Sequence, residues 1–181
     1  NRQHLLQYSL DEQLIHGMRV SNLAYQVAKE LGESEEFCHD LAVAGMLHDI
    51  GKEAVSGDLD DMDAPLIVEE IHYVRLHAQA SYEILKKEGY KETILLAVRH
   101  HHENYDGSGY PDNLSGEAIP LGARIIRVCD VYAALTSDRP YRQAFESQSA
   151  VQLMIEEIKD FDVKVFLAFQ RMIHKNKEKE I

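Results

Sequence analysis

The stretch LGARIIRVCDVYAALTS, residues 121–137, is apolar almost all the way round a helix, yet it carries a carboxylate in its middle. A helix that is apolar all round belongs in a protein core, so residues 121–136 are predicted to form a central helix. Asp130 would then be buried, which is costly unless the carboxylate is paired or binds a metal ion. For Asp130 alone, an ion pair with Arg127 one turn earlier is the simpler interpretation.

The rest of the chain also has helical periodicity and almost no strand signals, so we expect an all-α, compact multi-helix bundle. The 181 residues suit a single domain spanning 1–181. A long glycine-containing loop, ENYDGSGYPDNLSGEAIP, interrupts the helices at residues 103–120, and a loop of that length is functional or disordered. Ser9 and Glu12 predict a capping box for the first helix. The predicted helices cover residues 9–32, 35–48, a short segment from 65, 76–87, 91–101, 121–136, 147–159 and 162–176.

Several classes of protein are disfavoured by composition. The net charge of −12 argues against DNA or RNA as a partner. No apolar run reaches the roughly 18 residues of a membrane span, and no signal peptide is visible. Cys38 and Cys129 lie in apolar helical patterns, so free thiols and a cytoplasmic location are expected. Residues 1–8 and 177–181 are expected to fray, and residues 53–64 are predicted to form a solvated acidic loop. An upstream sensory domain and an oligomer are both compatible with the sequence.

Ten histidines raise the question of metal binding, because several stand beside acids at predicted helix ends. Each has an ordinary structural explanation, such as a helix C-terminus that favours imidazolium. Taken together they offer nitrogen and oxygen ligands without thiolate, which suits iron, manganese or catalytic zinc. They exceed what one tetrahedral ion needs, so two or three divalent ions are expected. The candidate ligands are Glu12, His16, His48, Asp49, His77, His101, His102 and Asp130.

The order of the motifs EQLIHGMRV, HDIGK, HAQASYEIL, HHENYDGSGYP and RPYR, within residues 12–142, resembles the HD-GYP family, a branch of the HD phosphohydrolase superfamily. The resemblance implies a helical fold and metal-dependent hydrolysis of cyclic di-GMP to pGpG, with GMP after a second cleavage. The same eight residues match the family's metal ligands, and iron or manganese is the expected metal. His48, Asp49 and Lys52 match the catalytic residues, and Lys52, Arg139 and Arg142 match residues that contact substrate.

The chain departs from the family pattern at Ala78, Ser81 and Ala133, the last in place of a usual aspartate. Hydrolysis of another cyclic dinucleotide, such as cyclic GMP-AMP, is therefore an alternative, as is a catalytically weak domain that binds metal and nucleotide in order to signal. In the DGSGYP loop a structural role is favoured, in which Gly107 and Gly109 permit positive φ, Pro111 stiffens the exit and Asp106 caps or bonds the loop's amides. A diguanylate cyclase domain that docks on this loop is a secondary expectation.

Overall fold

The computed structural model describes residues 10–52, 66–138 and 142–180, and these ranges contain seven α-helices and no β-strand. The predicted all-α fold is confirmed. Short 3-10 turns at Gly116–Ala118 and Ile158–Asp160 precede two of the helices. The helices are α1 (Leu10–Glu30), α2 (Glu35–Leu47), α3 (Leu66–Lys87), α4 (Glu92–Arg99), α5 (Leu121–Leu135), α6 (Ser147–Glu156) and α7 (Val163–Lys179).

Helix α5 lies at the centre of the bundle, as its all-round apolar sequence predicts. It packs against α1, α2, α4, α6 and α7, and Ile125, Ile126 and Val128 are completely buried. Each buried aliphatic side chain of this size contributes roughly 1.5–3 kcal/mol relative to exposure. Cys38 and Cys129 are free and buried, as predicted. None of the helices in the described ranges is long and apolar enough to cross a lipid bilayer.

Helix ends follow local sequence signals. Gly32 and Gly89 follow α1 and α3 with φ of 79° and 82°, the left-handed conformation that ends many helices. The side chain of Ser34 caps α2 by accepting a hydrogen bond from the Phe37 amide at 3.1 Å. Asp162 caps α7 in the same way, through the amide of Lys164 at 2.9 Å. Ser9 of the predicted capping box and the acidic loop 53–64 lie outside the described residues.

Two boundary predictions were wrong. The segments expected to start at residues 65 and 76 form one helix, α3, since the sequence from 66 to 87 contains no glycine or proline to end it. Helix α7 continues through Lys179, three residues beyond the predicted end at 176. Its last turn carries Lys177 and Lys179, and cations at a helix C-terminus interact favourably with the helix dipole.

Candidate metal centre

Five parts of the fold direct side chains toward one point beside α5. Helix α1 contributes a histidine from its second turn, and α3 contributes another from its middle. The ends of α2 and α4 contribute the His-Asp pair and the two consecutive histidines, and α5 contributes its buried aspartate. The residues brought together are His16, His48, Asp49, His77, His101, His102 and Asp130.

The first group in this centre consists of His16, His48, Asp49 and Asp130, whose ligand atoms all lie within 4.8 Å of one another. Asp130 Oδ1 is 2.7 Å from His16 Nε2 and 3.2 Å from His48 Nε2. Asp49 Oδ2 is 3.1 Å from His48 Nε2. Arg127 donates from Nε to Asn104 Oδ1 at 3.1 Å. The simpler interpretation of Asp130, an ion pair with Arg127, is therefore replaced by contacts to two imidazoles.

The second group consists of His77, His101 and His102, and Asp49 connects it to the first. The Nε2 atoms of His77 and His102 face each other at 3.0 Å. The other carboxylate oxygen of Asp49, Oδ1, lies 3.2 Å from His77 Nε2 and 3.8 Å from His101 Nε2. One carboxylate thus presents a different oxygen to each group, which is the arrangement of a ligand shared by two cations.

Backbone carbonyls orient two of these imidazoles so that Nε2 points toward the centre. Nδ1 of His48 lies 2.6 Å from the Gly45 carbonyl, and Nδ1 of His101 lies 2.5 Å from the Val98 carbonyl. With Nδ1 donating to the carbonyl, the Nε2 lone pair of neutral His101 faces the centre, and Nε2 of His48 would face a metal ion after losing its proton, as is usual for metal-ligating histidines. The buried Nε2 of His101 has no hydrogen-bond partner, although buried polar atoms are rarely left unpaired. This unpaired atom fits a cation better than a hydrogen-bond network.

The histidines of the two groups differ in the direction in which their pKa is shifted. Burial lowers the pKa of His101 to about 3 and holds the pKa of His102 well below its usual value, so both rings are neutral at neutral pH. Burial also opposes the charge on His48, but the carboxylates of Asp49 and Asp130 outweigh it and raise the pKa of His48 to about 10. Although burial raises the pKa of Asp49 and Asp130, their cationic and hydrogen-bonding neighbours hold both well below the usual range. Two anionic carboxylates among imidazoles suit divalent cations with a nitrogen and oxygen preference.

The remaining predicted site residues are placed differently. Lys52 Nζ lies 3.2 Å from Asp49 Oδ2, at the edge of the centre. Glu12 is exposed on α1 and belongs to neither ligand group. Arg142 donates to carbonyls at the C-terminus of α5, including Ala134 at 3.2 Å, so its guanidinium caps a helix. Arg139 lies outside the described residues.

The DGSGYP loop folds back onto the histidine run. Asp106 Oδ1 accepts hydrogen bonds from the amide and hydroxyl of Ser108 at 3.0 and 2.6 Å, as expected. Gly107 has a positive φ of 88°, whereas Gly109 has no positive φ. Gly109 is needed for space, because a Cβ there would lie 2.4 Å from both the His102 carbonyl oxygen and the Asn104 amide nitrogen. Tyr110 then stacks on the ring of His102, with centroids 5.0 Å apart.

Two residues that support the centre were not singled out for that role from sequence. The buried Ser81 hydroxyl accepts from the Gly51 amide at 2.8 Å and so ties the turn after Asp49 to α3. Arg19, on α1, donates to the Ala133 carbonyl at 3.0 Å and to the hydroxyls of two residues at the end of α5. The position of Arg19 three residues after His16 was the available signal, since both residues share a helix face.

Comparison with known proteins finds relatives that are named as cyclic dinucleotide phosphodiesterases. The chain is 43% identical over 136 residues to the cyclic di-GMP phosphodiesterase response regulator RpfG of Xanthomonas campestris, covering 74% of this chain and 36% of the relative. It is 34% identical over 143 residues to the 3'3'-cGAMP-specific phosphodiesterase 1 of Vibrio cholerae, covering 79% and 33%. The chain thus spans about a third of the length of these relatives.

The fold is also found in solved structures. An HD-GYP-type protein of Bdellovibrio bacteriovorus, Bd1817, superposes with a TM-score of 0.71 at 20% identity, over 90% of this chain and 52% of the other. The profile of the HD domain family matches residues 3–165. The chain belongs to the HD domain family, in its HD-GYP branch.

Proposed function

We propose that this chain is the catalytic domain of a metal-dependent phosphodiesterase that hydrolyses cyclic di-GMP to pGpG, with GMP after a second cleavage. The observation that carries the proposal is Asp49, whose Oδ2 faces His48 at 3.1 Å while its Oδ1 faces His77 at 3.2 Å. The relatives named as cyclic dinucleotide phosphodiesterases support the choice of substrate class.

Two divalent ions fit the ligand groups, and iron or manganese fits their chemistry. The first ion would be held by His16, His48, Asp49 and Asp130, and the second by His77, His101, His102 and the shared Asp49. Imidazole and carboxylate without thiolate favour these metals over copper(I) or iron–sulfur clusters. Bound there, the ions supply Lewis-acid activation of water and of the phosphodiester. A third ion would need Glu12, which is exposed and outside both groups.

The chain's own residues would orient the substrate and balance its charge. The ammonium of Lys52 lies 3.2 Å from Asp49, which supports a role in which it would interact with a phosphate oxygen and offset the negative charge that grows on it. Carbonyl bonds from His48 and His101 keep their rings oriented while substrate binds. Several expectations from the sequence stay predictions. They are substrate contacts by Arg139 and Arg142, docking of a diguanylate cyclase domain on the DGSGYP loop, a cytoplasmic location and an oligomer.

Replacing Asp49 tests the proposal most directly. Asp49→Asn keeps the size of the side chain but removes the charge and the second anionic oxygen, so both ions lose their shared ligand. We expect turnover of cyclic di-GMP with Mn(II) or anaerobic Fe(II) to fall by more than the about 100-fold typical of outer-shell changes. Product formation would be followed by chromatography together with metal content. His174→Gln changes an exposed histidine paired with Glu178, and it should leave both measurements unchanged.

A panel of substrates separates the main proposal from its alternatives. The relative named as cGAMP-specific makes 3'3'-cGAMP the second candidate substrate, and faster turnover of that dinucleotide would replace cyclic di-GMP in the proposal. Metal and nucleotide binding without turnover under anaerobic conditions would instead favour a signalling domain. Full activity of the Asp49→Asn protein would refute the two-metal hydrolase itself.

A further inference from the structure

A third group of side chains with metal-ligand chemistry lies beside the centre and takes no part in it. His100 follows α4, Glu103 is three residues later, and Asp112 lies in the loop just after Pro111. His100 Nδ1 is 3.4 Å from Glu103 Oε2 and 3.7 Å from Asp112 Oδ2. One ligand atom from each of the three residues lies within 4.8 Å of the others.

Two buried atoms in this group have no hydrogen-bond partner. They are Nδ1 of His100 and Oε1 of Glu103, in residues that are 6% and 2% exposed. The other carboxylate oxygen of Glu103 accepts from the Leu114 amide at 3.3 Å. Leaving a buried donor or acceptor unpaired is unfavourable, and more so for a charged group. His100 and Glu103 contact each other only at 3.4 Å, and Nδ1 of His100 and Oε1 of Glu103 still lack a hydrogen bond, so these two atoms are available to a further ligand.

We propose that His100, Glu103 and Asp112 bind a divalent transition-metal ion, separate from the ions of the main centre. One imidazole and two carboxylates are a ligand set that Mn²⁺ and Zn²⁺ accept. Arg99 contacts Asp112 at 3.4–3.5 Å, which is long for a charge-assisted hydrogen bond. The Asp112 carboxylate is therefore only weakly engaged by arginine and can turn toward a cation.

This ion would anchor the DGSGYP loop. Asp112 comes two residues after Tyr110, whose ring stacks on His102 at an interplanar angle of 20°. A cation shared by His100, Glu103 and Asp112 would tie the end of α4 to the far side of the loop and keep Tyr110 over the histidine. The site does not depend on the proposed phosphodiesterase activity, because none of its three side chains belongs to the ligand groups of the main centre.

Metal counting tests this site. The metal-free protein would be dialysed against Mn²⁺, and bound manganese per chain measured by mass spectrometry for the wild type, Asp112→Asn and Asp106→Asn. Asp106 is an exposed acid of the same loop whose hydrogen bonds, among the described residues, go to Ser108, so it controls for the lost charge. We expect Asp106→Asn to match the wild type and Asp112→Asn to bind about one equivalent less.

Equal manganese content in Asp112→Asn and Asp106→Asn overturns the proposal and leaves an ion pair between His100 and Glu103. Anomalous scattering at the manganese edge gives a second measurement that needs no variant. A peak beside His100 Nδ1 in wild-type crystals supports the site, and its absence at saturating Mn²⁺ overturns it. If Asp49→Asn kept full activity, the manganese count expected for Asp112→Asn would not change. The two proposals can therefore be refuted independently.

Discussion

Single atoms decide what the centre can bind. The carbonyls of Gly45 and Val98 set the orientation of His48 and His101 at distances of 2.6 and 2.5 Å. These bonds leave Nε2 of His101 buried and without a partner. Histidine alone does not specify a ligand, since the same side chain is common as a paired core residue. The backbone carbonyl three residues earlier orients the ring so that its Nε2 atom can bind a metal ion.

Gly109 gives a residue-scale prediction. Alanine at this position would place a Cβ 2.4 Å from the carbonyl oxygen of His102, so the backbone that carries the ligand must shift. We expect Gly109→Ala to lower the free energy of unfolding by about 1–3 kcal/mol, as overpacking does, and to weaken metal binding. Gly107→Ala is the matched change, because its cost comes from a positive φ of 88° and not from contact with His102. Both variants would be compared by urea unfolding and metal titration, and equal metal affinities would show that Gly109 does not position His102.

At the scale of elements, the register between α1 and α5 sets the distance from His16 to Asp130. Arg19 fixes that register by binding the Ala133 carbonyl and the hydroxyls of Thr136 and Ser137, all at the C-terminus of α5. The carbonyls there lack helical partners and carry partial negative charge. A guanidinium from α1 therefore satisfies the end of α5 and joins the two ligand-bearing helices.

Removing this guanidinium should loosen the centre. We expect Arg19→Met to reduce the free energy of unfolding by about 1.5–3 kcal/mol, the range for hydrogen bonds to charged groups, and to weaken metal binding as well. Arg171→Met is the control, since Arg171 on α7 also bonds α1, through Glu30 at 3.3 Å, but does so away from the centre. Calorimetry of Mn²⁺ binding distinguishes them, and an equal loss of affinity in both variants would remove Arg19 from a positioning role.

The elements were largely predictable from sequence, and the contacts between them were not. The apolar pattern of α5 predicted its burial, and Gly32 predicted the end of α1, because both depend on local chemistry. Seven of the eight candidate ligands converge, whereas Glu12 stays exposed. The hydrogen bond of Arg19 to Ala133 spans 114 residues, and the group of His100, Glu103 and Asp112 depends on how the loop folds back. The spacing of Arg19 from His16 placed it on the ligand-bearing face of α1. However, its partners on α5, and the approach of Asp112 to His100, depend on contacts between distant parts of the chain.

At the scale of the whole molecule, the metal centre would hold helices together as well as support chemistry. Its ligands come from α1, α3, α5 and the ends of α2 and α4, so bound ions would join elements that are distant in sequence. Without ions, the carboxylates and imidazoles of the centre contact one another directly. A ligand that binds only the folded state stabilises it by about 2.7 kcal/mol at a hundredfold excess over Kd.

Metal removal should therefore lower the melting temperature. A stabilisation of that size corresponds to about 5–11 °C for a domain of this length. We expect treatment with EDTA to lower Tm by that amount and Mn²⁺ to restore it, measured by differential scanning calorimetry. Mg²⁺ is the informative comparison, since it prefers oxygen ligands and suits an imidazole-rich centre poorly. Equal recovery with Mg²⁺ would mean that the ions screen the excess negative charge of the chain, −12 overall, and do not crosslink the helices through histidine.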